Sequence, residues 1–209
     1  MDYKILITRL ISGFVLIFSF IFFLFYSNIN INIFINIIYL FIFLEVFLFF
    51  RENKYLYIML VYLSISLILS NIYFLYYFEI LQIILFFFII TTFDSFSYFF
   101  GTLFGKKKIF KNISKKKTFV GLFAGFITSF IMSFYFNHYF AIYDNNIFIF
   151  FSFFVLIFSF AGDILESYFK RISNIKDSSF FIPGHGGFFD RFDSFICSIY
   201  FLLIFSIFY

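Results

Sequence analysis

Two carboxylates at helical spacing follow a glycine-rich run near the end of this chain. Asp190 and Asp193 are three residues apart and come directly after Pro183–Gly187. Consecutive glycines allow backbone N–H groups to turn towards an anion, and the start of a following helix adds the positive end of its dipole. Carboxylates beside such a loop are typical ligands of a divalent cation that also contacts phosphate. The pattern therefore predicts a site for a metal ion and a phosphate-bearing substrate.

A second set of polar residues lies at the end of the preceding apolar run. Its four members are spaced like one face of a helix: Asp163, Glu166, Ser167 and Lys170. A water-exposed helix end is the alternative reading, and it suits Lys170 better than the deeper Asp163. Lys170, Arg171 and Lys176 are candidates for balancing phosphate charge.

A third helical face lies near the middle of the chain and combines a carboxylate, two hydroxyls and two small residues: Asp94, Ser97, Tyr98, Gly101 and Gly105. A carboxylate at the centre of a membrane helix costs about 2.5–3.5 kcal/mol. Such residues usually face the bundle interior and mark function, although a small-residue packing face is the alternative. Glu45 is another deep acid, and nothing pairs with it in the sequence.

Long apolar segments must position these residues, since 64% of the 209 residues are hydrophobic and 12% are charged. A helix needs about 20 residues to cross the hydrocarbon core. The runs long enough to do so are Ile5–Tyr26, Ile29–Phe50, Tyr55–Tyr77, Ile80–Phe104, Phe119–Phe140, Ile147–Phe169 and Phe188–Tyr209. The sequence predicts an all-α, polytopic membrane helix bundle with about seven transmembrane helices.

The basic residues indicate the orientation of this bundle. With seven spans, all 15 Lys and Arg residues fall on one side of the membrane. Positive loops stay in the cytoplasm, so we expect a cytoplasmic N-terminus and an integral protein of the cell (inner) membrane with its active site on the cytoplasmic side. We assign residues 1–80 to N-terminal transmembrane helices and residues 81–209 to a catalytic transmembrane domain. Its cytoplasmic loops are predicted at about 105–118 and 170–188.

The polar residues of the last third form a recognisable motif. It consists of Ser167, Lys170-Arg171, Lys176-Asp177, Pro183-Gly184-His185-Gly186-Gly187, Asp190-Arg191 and Asp193. In order and spacing this stretch resembles the signature of the phosphatidate cytidylyltransferase (CDP-diacylglycerol synthase) family. Weaker similarity extends over Asp94–Lys106 and Ser114–Gly121. In the second of these segments, the family's Pro, Trp and Glu are replaced by Lys115, Phe119 and Val120.

The resemblance implies a reaction in which CTP and phosphatidate give CDP-diacylglycerol and pyrophosphate. It implies Mg²⁺, with a second cation possible, and it makes Asp163 and Asp190 the metal ligands, with Asp94 and Asp193 as further candidates. The implied catalytic residues are Asp163, Lys170, Asp190 and Asp193. The implied substrate-binding residues are Ser114, Lys116, Lys117, Thr118, Arg171, Lys176, Asp177, His185, Gly186, Gly187 and Arg191. Anchoring at an anionic leaflet is an equal alternative for the lysine cluster.

Several alternatives stay open from the sequence. They are an ion-coupled transporter, whose acids would lie near the midplane, a related CTP-dependent transferase with another lipid acceptor, and an inactive copy. We expect membrane lipids as partners and no nucleic acid, and a homodimer is left open. The resemblance covers roughly the second half of a chain that is short for the family, so one or two N-terminal helices are expected to be missing.

Overall fold

Long apolar helices make up most of the protein in the computed structural model, which describes residues 13–15, 18–25, 28–110, 113–183 and 186–209. The helices are α1 (Asn28–Phe49), α2 (Leu56–Ile72, continued by a π-helical turn over Tyr73–Tyr77), α3 (Ile80–Phe104), α4 (Phe119–Phe140), α5 (Asn145–Ile172) and α6 (Phe189–Phe208). Within these described ranges, six segments are long and apolar enough to cross a membrane. The predicted polytopic helical membrane protein is thereby confirmed.

The predicted spans agree closely with these helices. The first predicted span, Ile5–Tyr26, lies partly outside the described residues, and its described parts at 13–15 and 18–25 are helical. The sixth predicted span, Ile147–Phe169, proves to be the core of a longer helix. Because α5 continues to Ile172, Lys170 lies on the same regular helix as the acidic residues that precede it.

Glycines allow two pairs of helices to approach closely at the end of the bundle that carries the polar residues. A Cβ on Gly121 would lie 2.5 Å from the carbonyl oxygen of Ser97, so α4 packs directly on the backbone of α3. A Cβ on Gly162 would lie 2.8 Å from the Cβ of Cys197, which brings α5 equally close to α6. The polar faces of these helices are therefore held near one another.

The loop predicted between α3 and α4 contains a short antiparallel hairpin, which an all-α prediction does not include. Its strands are β1 (Lys108–Phe110) and β2 (Ser114–Thr118), with Lys108 opposite Thr118. Strand β2 passes directly into α4 because the Thr118 Oγ1 accepts a hydrogen bond of 3.1 Å from the Gly121 N–H and caps the helix. The hairpin is thus fixed to the end of the bundle.

Three connecting segments meet at this end. Asn53, between α1 and α2, donates from its Nδ2 to the Ser173 Oγ at 2.7 Å. Arg171, near the end of α5, donates from its Nε to the carbonyl oxygen of Ile113 in the hairpin at 3.0 Å. The segments that carry most of the basic residues therefore lie together, as the alternating arrangement of spans predicts.

Candidate active site

A cavity of about 880 Å³ opens where these segments meet. Its walls come from α3, both strands of the hairpin, α4, α5, α6 and the segment that joins the last two helices. Phe93, Ile109 and Phe160 contribute apolar surface. The predicted site residues that line it are Asp94, Ser114, Lys117, Thr118, Asp163, Lys170, Arg171, Lys176, Asp177, Asp190, Arg191 and Asp193. The fold therefore gathers into one cavity residues that are up to 99 positions apart in the chain.

Three carboxylates form the acidic centre of the site. Asp163, Glu166 and Asp193 each offer one oxygen, and these oxygens lie within 4.8 Å of one another. The first two lie on consecutive turns of α5, and Asp193 reaches them from α6 because Gly162 allows close packing at this point. Such a group of hard oxygen donors suits a divalent cation of the Mg²⁺ type.

Glu166 was not among the predicted metal ligands, although the spacing of three residues from Asp163 placed both acids on one helical face. That periodicity was the signal that could have identified it. Asp94, the further candidate from α3, lines the same cavity.

Two lysines neutralise part of this acidic centre. The Lys170 Nζ lies 2.7 Å from the Glu166 Oε1 and 2.7 Å from the Asp190 Oδ1. The Lys117 Nζ lies 2.6 Å from the Asp163 Oδ2 and 5.3 Å from the centre of the Phe160 ring. Since Lys117 comes from the hairpin and Lys170 from α5, positive charge reaches the carboxylates from two separate elements.

Asp190 organises the segment between α5 and α6. Its Oδ2 accepts hydrogen bonds from the Ser178 N–H at 2.9 Å, the Ser178 hydroxyl at 3.1 Å and the Gly187 N–H at 3.0 Å. Its Oδ1 accepts from Lys170. Both oxygens are thus engaged by the protein in this structure, and the role of Asp190 as a metal ligand stays a prediction.

The two described glycines of the motif permit this arrangement. Gly186 has a φ of 88°, a left-handed conformation that favours glycine, and a Cβ there would lie 2.5 Å from the Asp190 Oδ2. A Cβ on Gly187 would lie 2.6 Å from the Glu45 Oε2. Both glycines therefore leave room for carboxylates of the protein, and their predicted contact with a substrate phosphate stays a prediction.

Glu45 is a second buried carboxylate beside this segment, and it comes from α1. Its Oε1 accepts from the Ser179 hydroxyl at 2.7 Å and the Phe188 N–H at 2.7 Å. Its Oε2 accepts from the Phe189 N–H at 2.9 Å and the Ser178 hydroxyl at 3.3 Å. These partners are more than 130 residues away in the chain, so local sequence patterns gave no signal for them.

The remaining predicted residues lie around the cavity rim or outside the described part. Lys176 and Asp177 are exposed, and Arg171 holds the hairpin through Ile113. Ser114 and Thr118 line the cavity from β2. His185 lies outside the described residues, as does the side chain of Lys116.

Comparison with known proteins points to one family. A model of the cytidylyltransferase family matches residues 77–209. A phosphatidate cytidylyltransferase of Staphylococcus epidermidis is 34% identical over 151 residues, which cover 69% of this chain and 58% of the relative. One of Haemophilus influenzae is 38% identical over 121 residues, covering 56% of this chain and 41% of the relative. One of Rickettsia typhi is 37% identical over 123 residues, covering 56% and 54%. The chain thus spans roughly half the length of the curated relatives it matches.

Proposed function

Because this chain belongs to the cytidylyltransferase family, we propose that it transfers CMP from CTP to phosphatidate. In this reaction an oxygen of the lipid phosphate forms a bond to the α-phosphorus of CTP. The bond from that phosphorus to the oxygen bridging to the β-phosphate breaks, and pyrophosphate leaves. The product is CDP-diacylglycerol, a precursor for phospholipid biosynthesis. The relatives named phosphatidate cytidylyltransferase support this choice of substrates.

The observation that carries the proposal is the meeting of a three-carboxylate cluster, two of whose members line the cavity, with basic side chains from several elements. A transfer between two phosphates brings several negative charges together. The protein's task is mainly to position the reactants and to neutralise this charge. A site built from acids for a cation and from lysines and arginines for phosphates matches that task. Because the residues lining this cavity lie between Phe93 and Ser194, we also assign catalysis to residues 81–209.

The carboxylates fit a magnesium site by their chemistry. Mg²⁺ prefers oxygen ligands and is usually held by one or two carboxylates together with substrate phosphates. Asp163, Glu166 and Asp193 would hold it, and Asp94 and Asp190 are further candidate ligands. The proposed site would also accept a second cation. When bound, the ion would offset charge on the phosphates and polarise their oxygens.

The basic residues have separate roles in this proposal. Lys117 and Lys170 already lie within 2.7 Å of carboxylates at the acidic centre, so their ammonium groups are placed to contact the phosphates of CTP there. Arg171, Lys176 and Arg191 line the outer part of the cavity, where they would bind the remaining phosphate charge. The apolar wall around Phe93 and Phe160 would limit access of water to the reacting phosphorus.

The arrangement of the basic segments supports an orientation. We propose that the end of the bundle with the cavity faces the cytoplasm, because positively charged loops remain on that side. In a bacterial cell this places the protein in the inner membrane. CTP would then enter from the water phase, and phosphatidate would enter from the adjoining leaflet.

The proposal is tested with the purified protein in detergent, supplied with CTP, phosphatidate and Mg²⁺. We expect formation of CDP-diacylglycerol and an equal amount of pyrophosphate. Asp193→Asn should lower kcat at least about 100-fold, since the acidic centre loses one of its three carboxylates. Asp144→Asn is the matched control, because Asp144 is exposed in the turn before α5, at the other end of the bundle.

Each outcome has a distinct meaning. A folded wild-type protein that forms no product with phosphatidate would overturn the proposed reaction. Product formation with another phosphorylated lipid instead would favour the related transferase. Full activity of Asp193→Asn would keep the reaction and refute the assignment of the acidic centre.

A further inference from the structure

We propose that Glu45 is a positioning residue of the active site, acting from the N-terminal part of the chain. It lies outside residues 77–209, the segment that the family model matches. The inference rests on the proposed function for its catalytic consequence. The contacts of Glu45 with the segment that follows α5 are independent of that function.

Glu45 replaces the missing cap of α6. The first N–H groups of a helix have no partner within the helix, and Phe188, at the cap position of α6, supplies no side-chain hydrogen bond. The two oxygens of Glu45 accept from the N–H groups of Phe188 and Phe189 at 2.7 and 2.9 Å. A carboxylate also interacts favourably with the positive end of the helix dipole. Glu45 therefore fixes the start of the helix that carries Asp190 and Asp193.

The same carboxylate holds the other end of the motif segment. The Ser179 hydroxyl donates to it at 2.7 Å. The Ser178 hydroxyl lies 3.3 Å from the Glu45 Oε2 and 3.1 Å from the Asp190 Oδ2. A hydroxyl has one proton to donate, so Ser178 links the two carboxylates by sharing that proton between them. Through Glu45, the residues before and after the glycine run are held at one point.

A continuous set of polar contacts then leads from Glu45 to the acidic centre. Ser178 contacts Asp190, Asp190 contacts Lys170, and Lys170 contacts Glu166. The Gly187 N–H, adjacent to the residues bound by Glu45, also donates to Asp190. A shift of the segment around Glu45 would therefore displace Asp190 and, with it, the lysine that neutralises Glu166.

Because Glu45 is buried, its carboxylate requires hydrogen-bond donors from the protein. Its side chain is 0% exposed and lies on α1 between the buried residues Ile42 and Val46. A buried carboxylate is costly unless its oxygens are hydrogen-bonded, and here each oxygen has two donors. Gly187 lacks a side chain where a Cβ would come within 2.6 Å of the Glu45 Oε2. A Cβ there would also meet the Ser178 Oγ, so the absence of a side chain at Gly187 leaves room for both Glu45 and the serine that binds it.

The variant Glu45→Gln tests the role with little change in size. A carboxamide keeps one acceptor oxygen and turns an NH₂ group towards donors that previously faced the second oxygen. We expect kcat to fall about 10- to 100-fold, the range typical when a group that orients site residues is removed. Glu45→Asp keeps the charge but is one methylene shorter, and it should also lower kcat. Glu52→Gln is the matched control, because Glu52 is exposed in the turn after α1.

A purely stabilising role is distinguished by two further measurements. If Glu45 only stabilises the fold, Glu45→Gln will have a lower melting temperature than the wild type but an unchanged kcat well below that temperature. This result would overturn the proposal. Hydrogen exchange should be faster in residues 178–189 of Glu45→Gln, and unchanged protection there would also overturn it. If the wild-type protein proves inactive, the proposed function fails, and the exchange measurement still decides whether Glu45 holds this segment.

Ser179→Ala keeps the test decisive if Glu45→Gln does not fold. This change removes one of the four donors to Glu45 and should lower kcat about 5-fold, the factor that corresponds to about 1 kcal/mol for one hydrogen bond. An unchanged kcat would refute the link. If both single variants fold, their effects on kcat should not add in the double variant Glu45→Gln/Ser179→Ala, because both changes break the same contact. Additive effects would count against a shared role.

Discussion

Replacing Lys170 with methionine should strongly destabilise the fold, because this lysine neutralises two buried carboxylates. Its Nζ lies 2.7 Å from both Glu166 and Asp190. The side chains are 13% exposed for the lysine, 2% for Glu166 and 8% for Asp190. Solvent screening is therefore weak, and the small values typical of surface ion pairs do not apply.

The expected magnitude follows from what each carboxylate keeps. Asp190 retains three donors from Ser178 and Gly187, whereas Glu166 loses the lysine with which it forms an ion pair. Removing one partner of a buried pair typically costs about 3–5 kcal/mol. We expect Lys170→Met to lower the free energy of unfolding by an amount in this range. The double variant Lys170→Met/Glu166→Gln should recover part of the loss, because it leaves one buried carboxylate instead of two.

The assay is reversible unfolding in mixed micelles, with helix content followed by circular dichroism as the fraction of denaturing detergent rises. Lys106→Met serves as the control, since Lys106 is exposed beyond the end of α3. A loss below about 1 kcal/mol for Lys170→Met, the value expected of an exposed pair, would refute the reasoning from burial. Failure of the double variant to recover stability would show that the unpaired charge of Glu166 is not the cause.

Two further changes test the cavity itself. Gly187→Ala places a Cβ against the Ser178 Oγ, its nearest neighbour, and 2.6 Å from the Glu45 Oε2. The Glu45 oxygen alone must retreat by about 0.8 Å to reach an ordinary contact of 3.4 Å. A shift near 1 Å can cost about 100-fold in rate, so kcat should fall by up to that factor, and a kcat close to that of the wild type would show that the segment adapts. Lys117→Met removes the ammonium group beside Asp163 and should raise the KM for CTP about 10-fold, as expected for about 1.4 kcal/mol of lost binding. Lys108→Met, an exposed change in the same hairpin, should leave the KM unchanged, and equal effects of both lysines would indicate general attraction of CTP to a basic surface.

The membrane helices and most of the cavity residues could be predicted from the sequence because they depend on local rules. An apolar run of about 20 residues is long enough to span the hydrocarbon core as a helix. The positions of α1 to α6 in the sequence could therefore be predicted before their packing was known. Lys170, Asp190 and Asp193 were predicted because they belong to one motif within a single stretch of chain, and Asp163 because its spacing places it on the same helical face as Lys170. Glu166 followed the same helical periodicity and could have been included.

Tertiary structure alone decided the contacts between elements that are distant in the chain. Lys117 reaches Asp163 because a hairpin folds over the cavity, and no periodicity connects those two positions. Glu45 meets Phe188 across 143 residues, and the hydropathy of α1 contains no sign of that partner. Helix formation is governed by neighbours in the sequence, whereas the partners of a buried carboxylate are selected by the packing of whole helices. The sequence therefore determined which residues could do the chemistry, and the packing determined which of them are held together.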